Sequence, residues 1–124
     1  MSYGIIQAFT ISNCKVLEKD KFAGYMIDQY LIELIDVIGM KIAPINNPMQ
    51  IWEDHTYQAE EFKIGTSANV FIETSNISIH ACDPQRAIRV CIFTCKNHDY
   101  SKAIDYSERF WGGKCVYNKV IEIL

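Results

Sequence analysis

The chain lacks any cluster of lysines and arginines, and its formal net charge is −3 with a pI near 5.5. Because binding to phosphates requires clustered positive charge, this argues against a role on nucleic acid or on an acidic membrane surface. No apolar run reaches the roughly 18 residues that a membrane-spanning helix needs. The first fifteen residues also lack the charged and apolar regions of a secretion signal. We therefore expect a cytoplasmic protein.

The five cysteines are odd in number and include no Cys-x-x-Cys pair. An odd count without a secretion signal argues against a disulfide framework, and the missing pair argues against a structural zinc site. The sequence contains no internal repeat, linker or low-complexity segment. With 49% hydrophobic and 22% charged residues, its 124 residues have the composition of one globular domain spanning 1–124.

Hydrophobic periodicity predicts both helices and strands. Apolar residues at helical spacing predict one helix over 18–39, which stops at Gly39, and a second helix over 101–110. A short apolar run at 40–45 predicts a strand that Pro44 restricts to the edge of a sheet. The remaining strands are predicted at 3–12, 49–58, 68–73, 77–82, 87–95 and 115–123.

The arrangement of these elements predicts an α/β two-layer sandwich. Turns of only a few residues join the middle strands, so those strands must pair in antiparallel fashion. Each helix carries a single apolar stripe, and both helices must therefore cover one face of the same sheet. We expect a mainly antiparallel sheet with two helices on one face.

The stretch ETSNISIH at 73–80 places a serine at a tight turn between two predicted strands. In such a turn the Ser75 oxygen lies near the carbonyl carbon of Thr74, and strain in that peptide weakens its amide resonance. Attack by this oxygen moves the acyl group from nitrogen to oxygen, and elimination and hydrolysis then leave a pyruvoyl group. That carbonyl forms a Schiff base with an amine and accepts electrons during decarboxylation.

This chemistry needs helper groups that stabilise an oxyanion, move the Cα proton and later donate a proton to carbon. Ser67, His80 and Cys95 are residues of these types on neighbouring predicted strands. Adjacent antiparallel strands can bring all three to one end of the sheet. A lone serine in a turn is usually structural, but its combination with these three residues favours a processing site.

The segment 65–95 resembles the prokaryotic S-adenosylmethionine decarboxylases. The run TSNISIH ends at His80, and the run FTC ends at Cys95, fifteen residues later. Ser67 lies eight residues before Ser75, just past a glycine, as in that family. The resemblance extends weakly over nearly the whole chain and implies the same fold.

The resemblance also implies roles for individual residues. Cleavage would fall between Thr74 and Ser75, and Ser75 would become the pyruvoyl group. Ser67 and His80 would assist processing, with His80 acting in the elimination step, and Cys95 would donate the proton in decarboxylation. The processed protomers would form a homodimer, and decarboxylated S-adenosylmethionine would supply spermidine synthesis.

Several positions depart from the family pattern. Thr74 stands where the family has glutamate, and Asn76 stands where it has histidine. Pro84 replaces the glutamate expected to hold the ribose hydroxyls, although Asp83 is its neighbour. The candidate substrate-binding residues are Asp83, Glu73 and Phe62, the last as a stacking partner for a base.

These departures leave two alternatives to decarboxylation of S-adenosylmethionine. The same chemistry can act on another amino acid, such as arginine or ornithine. Alternatively, the chain is a non-catalytic paralogue that stays uncleaved and acts as a binding or regulatory partner.

Overall fold

A computed structural model describes residues 3–17, 24–54 and 64–124, and these ranges hold two helices and six strands. The six strands form one sheet in the order β2-β3-β4-β5-β1-β6, and every neighbouring pair is antiparallel. The elements are β1 Gly4–Ser12, α1 Gly24–Val37, β2 Met49–Asp54, β3 Gly65–Ile72, β4 Ser75–Cys82, β5 Ala87–Thr94, α2 Tyr100–Trp111 and β6 Lys114–Ile123.

Both helices cover one face of the sheet, which confirms the predicted α/β two-layer sandwich. Alternate strand residues, such as Ile77 and Ile79 of β4, point into the core, because successive side chains of a strand face opposite sides. Tyr30 of α1 and Trp111 of α2 are fully buried there, and the Tyr30 hydroxyl lies 2.6 Å from Ser107 Oγ. Among the described residues, no element covers the opposite face, which we call the open face.

Local chemistry explains the boundaries of α2. The Asp99 side chain accepts a hydrogen bond from the Lys102 N–H at 3.2 Å, which caps the first turn. Gly112 ends the helix with φ +68°, a left-handed conformation that costs glycine little. The predicted helix 101–110 is therefore confirmed with one more residue at each end.

Two predicted elements differ from the structure by three described residues or more. The strand expected at 40–45 is reduced to a single bridge between Ile42 and Ile72, because Pro44 has no N–H to continue a ladder. The strand predicted at 68–73 begins three residues earlier, at Gly65. Residues 18–23 of the first predicted helix and 55–58 of the third predicted strand lie outside the described residues.

Neither helix within the described ranges is long and apolar enough to cross a membrane. The cytoplasmic location stays a prediction.

Candidate active site

A two-residue turn, Glu73–Thr74, joins β3 to β4, and Ser75 is the first residue of β4, paired with Ile72. The turn thus falls one residue earlier than the predicted turn at 74–76. Thr74 has φ +69°, a left-handed conformation that is unusual for a β-branched residue. Such a conformation costs roughly 1–3 kcal/mol and requires support from the surrounding structure.

Hydrogen bonds hold the Thr74–Ser75 peptide from several sides. The Ser75 hydroxyl donates to the Thr74 carbonyl oxygen at 2.5 Å, and the Tyr3 hydroxyl donates to the same oxygen at 3.0 Å. Thr74 Oγ1 donates to the Glu73 carbonyl oxygen at 2.5 Å and lies 2.6 Å from Cys95 Sγ. The reactive groups predicted at residues 75 and 95 therefore meet at this turn.

Strand pairing brings Cys95 to the hairpin. Asn76 of β4 pairs with Phe93 of β5, so the end of β5 lies beside the turn. On its other side β5 packs closely on β1, where a Cβ added at Gly4 would lie 2.0 Å from the Thr94 carbonyl oxygen and 2.6 Å from Cys95 Cα. The backbone can approach the cysteine this closely only because residue 4 is glycine.

We expect Gly4→Ala to destabilise the fold and to displace Thr94 at the end of β5 together with Cys95, which follows it. Overpacking of this kind costs about 1–3 kcal/mol. Gly39→Ala is the matched control, because a Cβ there meets no atom within 4 Å and only the left-handed φ of +72° is penalised. Urea unfolding of both variants and of the wild type measures the two costs, and a Gly4→Ala midpoint equal to that of the wild type would contradict the proposed crowding at Gly4.

Ser67 and His80 form a separate pair on the open face. Their side chains are hydrogen-bonded, with 2.9 Å between Ser67 Oγ and His80 Nδ1, and the two residues are register partners of β3 and β4. This pair lies five positions along the hairpin from the Ile72–Ser75 pair. At about 3.4 Å per residue, that is roughly 17 Å. The expectation that Ser67, His80 and Cys95 meet at one end of the sheet is therefore wrong for a single chain.

A polar cluster on the open face lies between the Ser67–His80 pair and the Glu73–Thr74 turn. Asn69 Oδ1 accepts hydrogen bonds from Asn76 Nδ2 at 2.8 Å and from Ser78 Oγ at 2.9 Å. Asn76, which replaces the family's histidine, is thus bound to a neighbouring strand. Cys91 is the register partner of Ser78, and desolvation on this face raises the pKa of its thiol above the ordinary value. At neutral pH this thiol stays protonated.

The predicted substrate-binding residues lie in three different environments. Glu73 is exposed in the turn beside Ser75, and its N–H donates to the Lys41 carbonyl oxygen at 2.9 Å. Asp83 is 1% exposed and belongs to the β4–β5 turn, at the opposite end of β4 from Ser75. Phe62 lies outside the described residues.

Two residues near the candidate site were not predicted to belong to it. Tyr3 contacts Thr74 across a separation of 71 residues, which no local motif reveals. Trp52 of β2 pairs with Ser67 and is 66% exposed. It lines a shallow depression of about 680 Å³ on the open face, together with Ser67, Asn69, Ser78, His80 and Cys91.

Fold and site together define a class of protein: an α/β sandwich with one open sheet face, whose hairpin holds a serine against the carbonyl of the residue before it. The model of the S-adenosylmethionine decarboxylase family matches residues 12–122, so the chain belongs to that family. This confirms the resemblance seen in the sequence. The family consists of pyruvoyl-dependent decarboxylases that serve polyamine synthesis. A search of curated proteins found no significant match.

Proposed function

We propose that the chain is a self-processing, pyruvoyl-dependent decarboxylase that acts on S-adenosylmethionine and supplies spermidine synthesis. The observation that carries this proposal is the contact between the Ser75 hydroxyl and the Thr74 carbonyl, with the Cys95 thiol beside the same turn. Membership in the family supports the reaction class.

Processing starts when Ser75 Oγ loses its proton and attacks the Thr74 carbonyl carbon, placing negative charge on the carbonyl oxygen. The C–N bond then breaks, nitrogen takes up a proton, and Thr74 is joined to Ser75 by an ester. Removal of the Cα proton of Ser75 expels the Thr74 carboxylate. The resulting dehydroalanine adds water and releases ammonia, which leaves a pyruvoyl group at residue 75. No external oxidant is required.

The residues at the turn fit a pyruvoyl group at position 75. Ser75 is the first residue of β4, so cleavage before it frees a chain end without breaking the ladder that follows. The pyruvoyl group, when formed, supplies an electron sink for decarboxylation of an amine-bearing acid. The Cys95 sulfur lies next to this position, and its contact with Thr74 Oγ1 fixes the direction of the sulfur.

The distance between Ser67–His80 and Ser75 supports a homodimer as the working form. Two sheets that pack face to face lie about 10 Å apart, so side chains of the two inner faces can meet. A two-fold axis that crosses the strands near Ser78 would place His80 of one copy over Ser75 of the other. Each site would then take its nucleophile from one protomer and its assisting pair from the partner. The open face, with Trp52 exposed on it, would become the interface.

The first test is the intact mass of the purified protein after long incubation. Two fragments, 1–74 and 75–124, with the second resistant to Edman degradation, support processing at Ser75. Release of CO2 from S-adenosylmethionine then tests the substrate, with arginine and ornithine as competing candidates. A processed protein that releases CO2 only from arginine or ornithine would support the proposed chemistry and contradict S-adenosylmethionine as the substrate.

The uncleaved paralogue is the second candidate. Thr74 replaces the family's glutamate, and the Asp83 carboxylate is buried at the opposite end of β4 rather than exposed beside Ser75. A single mass for 1–124 that persists, with no carbonyl detected by hydrazide labelling, would favour this candidate.

We expect Cys95→Ala to be processed normally but to decarboxylate about 100-fold more slowly, because general acid catalysis contributes roughly 10²–10⁴ in rate. Slow protonation at carbon should also increase a transamination side reaction. CO2 release and loss of the pyruvoyl carbonyl measure the two effects. Cys115→Ala is the control, since that thiol lies on β6 and donates to the Tyr117 carbonyl oxygen. Full activity of Cys95→Ala without transamination would exclude Cys95 as the donor.

A further inference from the structure

We propose that the Tyr3 hydroxyl is the oxyanion donor for the self-processing step, which makes Tyr3 a catalytic residue for cleavage between Thr74 and Ser75. The inference rests on the proposed function. Its basis is the 3.0 Å hydrogen bond from this hydroxyl to the carbonyl oxygen that gains negative charge when Ser75 attacks.

Both lone pairs of the Thr74 carbonyl oxygen are occupied before the reaction. One accepts from Ser75 Oγ at 2.5 Å, and the other accepts from Tyr3 at 3.0 Å. The Ser75 hydrogen bond is lost when its oxygen gives up the proton and turns to the carbonyl carbon. The Tyr3 hydrogen bond persists and strengthens as charge develops, which is what lowers the barrier.

The fold holds the Tyr3 hydroxyl in place. The Tyr3 N–H donates to the Ile123 carbonyl oxygen of β6 at 2.6 Å. The Tyr3 ring packs on Phe93 of β5, with 5.9 Å between ring centroids. Gly4 allows the adjacent backbone to lie against Cys95. Three strands therefore fix a donor that needs no rearrangement when the charge appears.

Other hydroxyl and thiol groups near the carbonyl point elsewhere. Thr74 Oγ1 donates to the Glu73 carbonyl oxygen, which leaves the Cys95 thiol to donate to Thr74 Oγ1. In the described part of the chain, the side chains that donate to the Thr74 carbonyl are those of Tyr3 and Ser75. Among the groups of its own chain, the stabilising role during attack thus falls to Tyr3.

The test compares cleavage rates of the wild type, Tyr3→Phe and Tyr25→Phe. Phenylalanine keeps the ring contact with Phe93 and removes only the hydroxyl, so we expect cleavage of Tyr3→Phe to slow about 10- to 100-fold. This loss is smaller than the roughly 10²–10³ usual for a lost oxyanion donor, because water can reach a partly exposed site. Tyr25→Phe, which alters an exposed tyrosine of α1, should cleave at the wild-type rate.

Treatment with hydroxylamine shows whether Tyr3→Phe slows the attack step or the elimination step. Hydroxylamine cleaves esters much faster than amides, so it releases fragments from any chain that has completed the acyl shift. We expect little release from Tyr3→Phe, because its ester forms slowly. Release at the wild-type level would mean that the shift proceeds without the hydroxyl, and would overturn the assignment.

The outcomes for Tyr3 and for the proposed function are distinguishable. A wild-type chain that stays whole under all conditions overturns the proposed function, and the assignment fails with it. A wild type and a Tyr3→Phe variant that cleave at equal rates leave the function standing and overturn only the assignment. Thermal unfolding of Ser75→Ala with and without Tyr3→Phe should give similar midpoints. A cleavage loss that accompanies a lost fold would count against a catalytic role.

Discussion

Ser75→Ala should leave the chain whole at 1–124 and abolish decarboxylation, whereas the wild type separates into 1–74 and 75–124. The effect is expected to be complete, because alanine has no oxygen to attack the Thr74 carbonyl and no leaving group for elimination. The peptide at this turn is already strained by the φ of +69° at Thr74, so the missing component is the nucleophile itself.

Mass spectrometry of the intact protein and hydrazide labelling of the carbonyl measure this prediction. Ser101→Ala is the matched control, since it removes an exposed hydroxyl from α2 and should cleave normally. Cleavage of Ser75→Ala at the same bond would mean that the hairpin breaks by simple hydrolysis. Residue 75 would then not be the source of a prosthetic group.

The layered fold could be predicted from the sequence because period-two strands and amphipathic helices leave local patterns. The β3–β4 and β4–β5 hairpins follow from short turns between apolar runs, and both are confirmed. The strand expected at 40–45 failed because the residues around Pro44 pair at one bridge only. Its apolar pattern was correct, but Pro44 has no N–H to continue a ladder, and an apolar pattern does not report how far the pairing extends.

The candidate site was predictable in part. Sequence spacing identified Ser75 and Cys95, which meet at the turn, and Ser67 and His80, which form a hydrogen-bonded pair. Spacing alone could not show that these two groups lie at different ends of the hairpin. The separation follows from the register of β3 and β4. Each successive residue of β4 lies farther from the turn, so His80 and its partner Ser67 lie far from Ser75. Sequence spacing also could not predict the contact of Tyr3 with Thr74, because this contact depends on how three strands pack together.

A mixture of two inactive variants should recover cleavage if the partner protomer supplies His80. Ser75→Ala alone has no nucleophile, and His80→Ala alone cannot complete elimination, so each should stay whole. When both are co-expressed, a mixed dimer places the His80 of the Ser75→Ala chain over the intact Ser75 of the other chain. Random pairing then allows cleavage of roughly a quarter of all chains.

Different mass tags on the two variants show which chain is cleaved. We expect fragments only from the His80→Ala chain, because it alone keeps the nucleophile. The control pairs the same His80→Ala chain with the double variant Ser75→Ala/His80→Ala, which should give no fragments. Cleavage of the His80→Ala variant on its own would show that cleavage does not require His80. If the mixed sample stays whole while wild type cleaves, His80 acts within its own chain, and the roughly 17 Å that separate it from Ser75 must close by rearrangement of the hairpin rather than by pairing of two sheets.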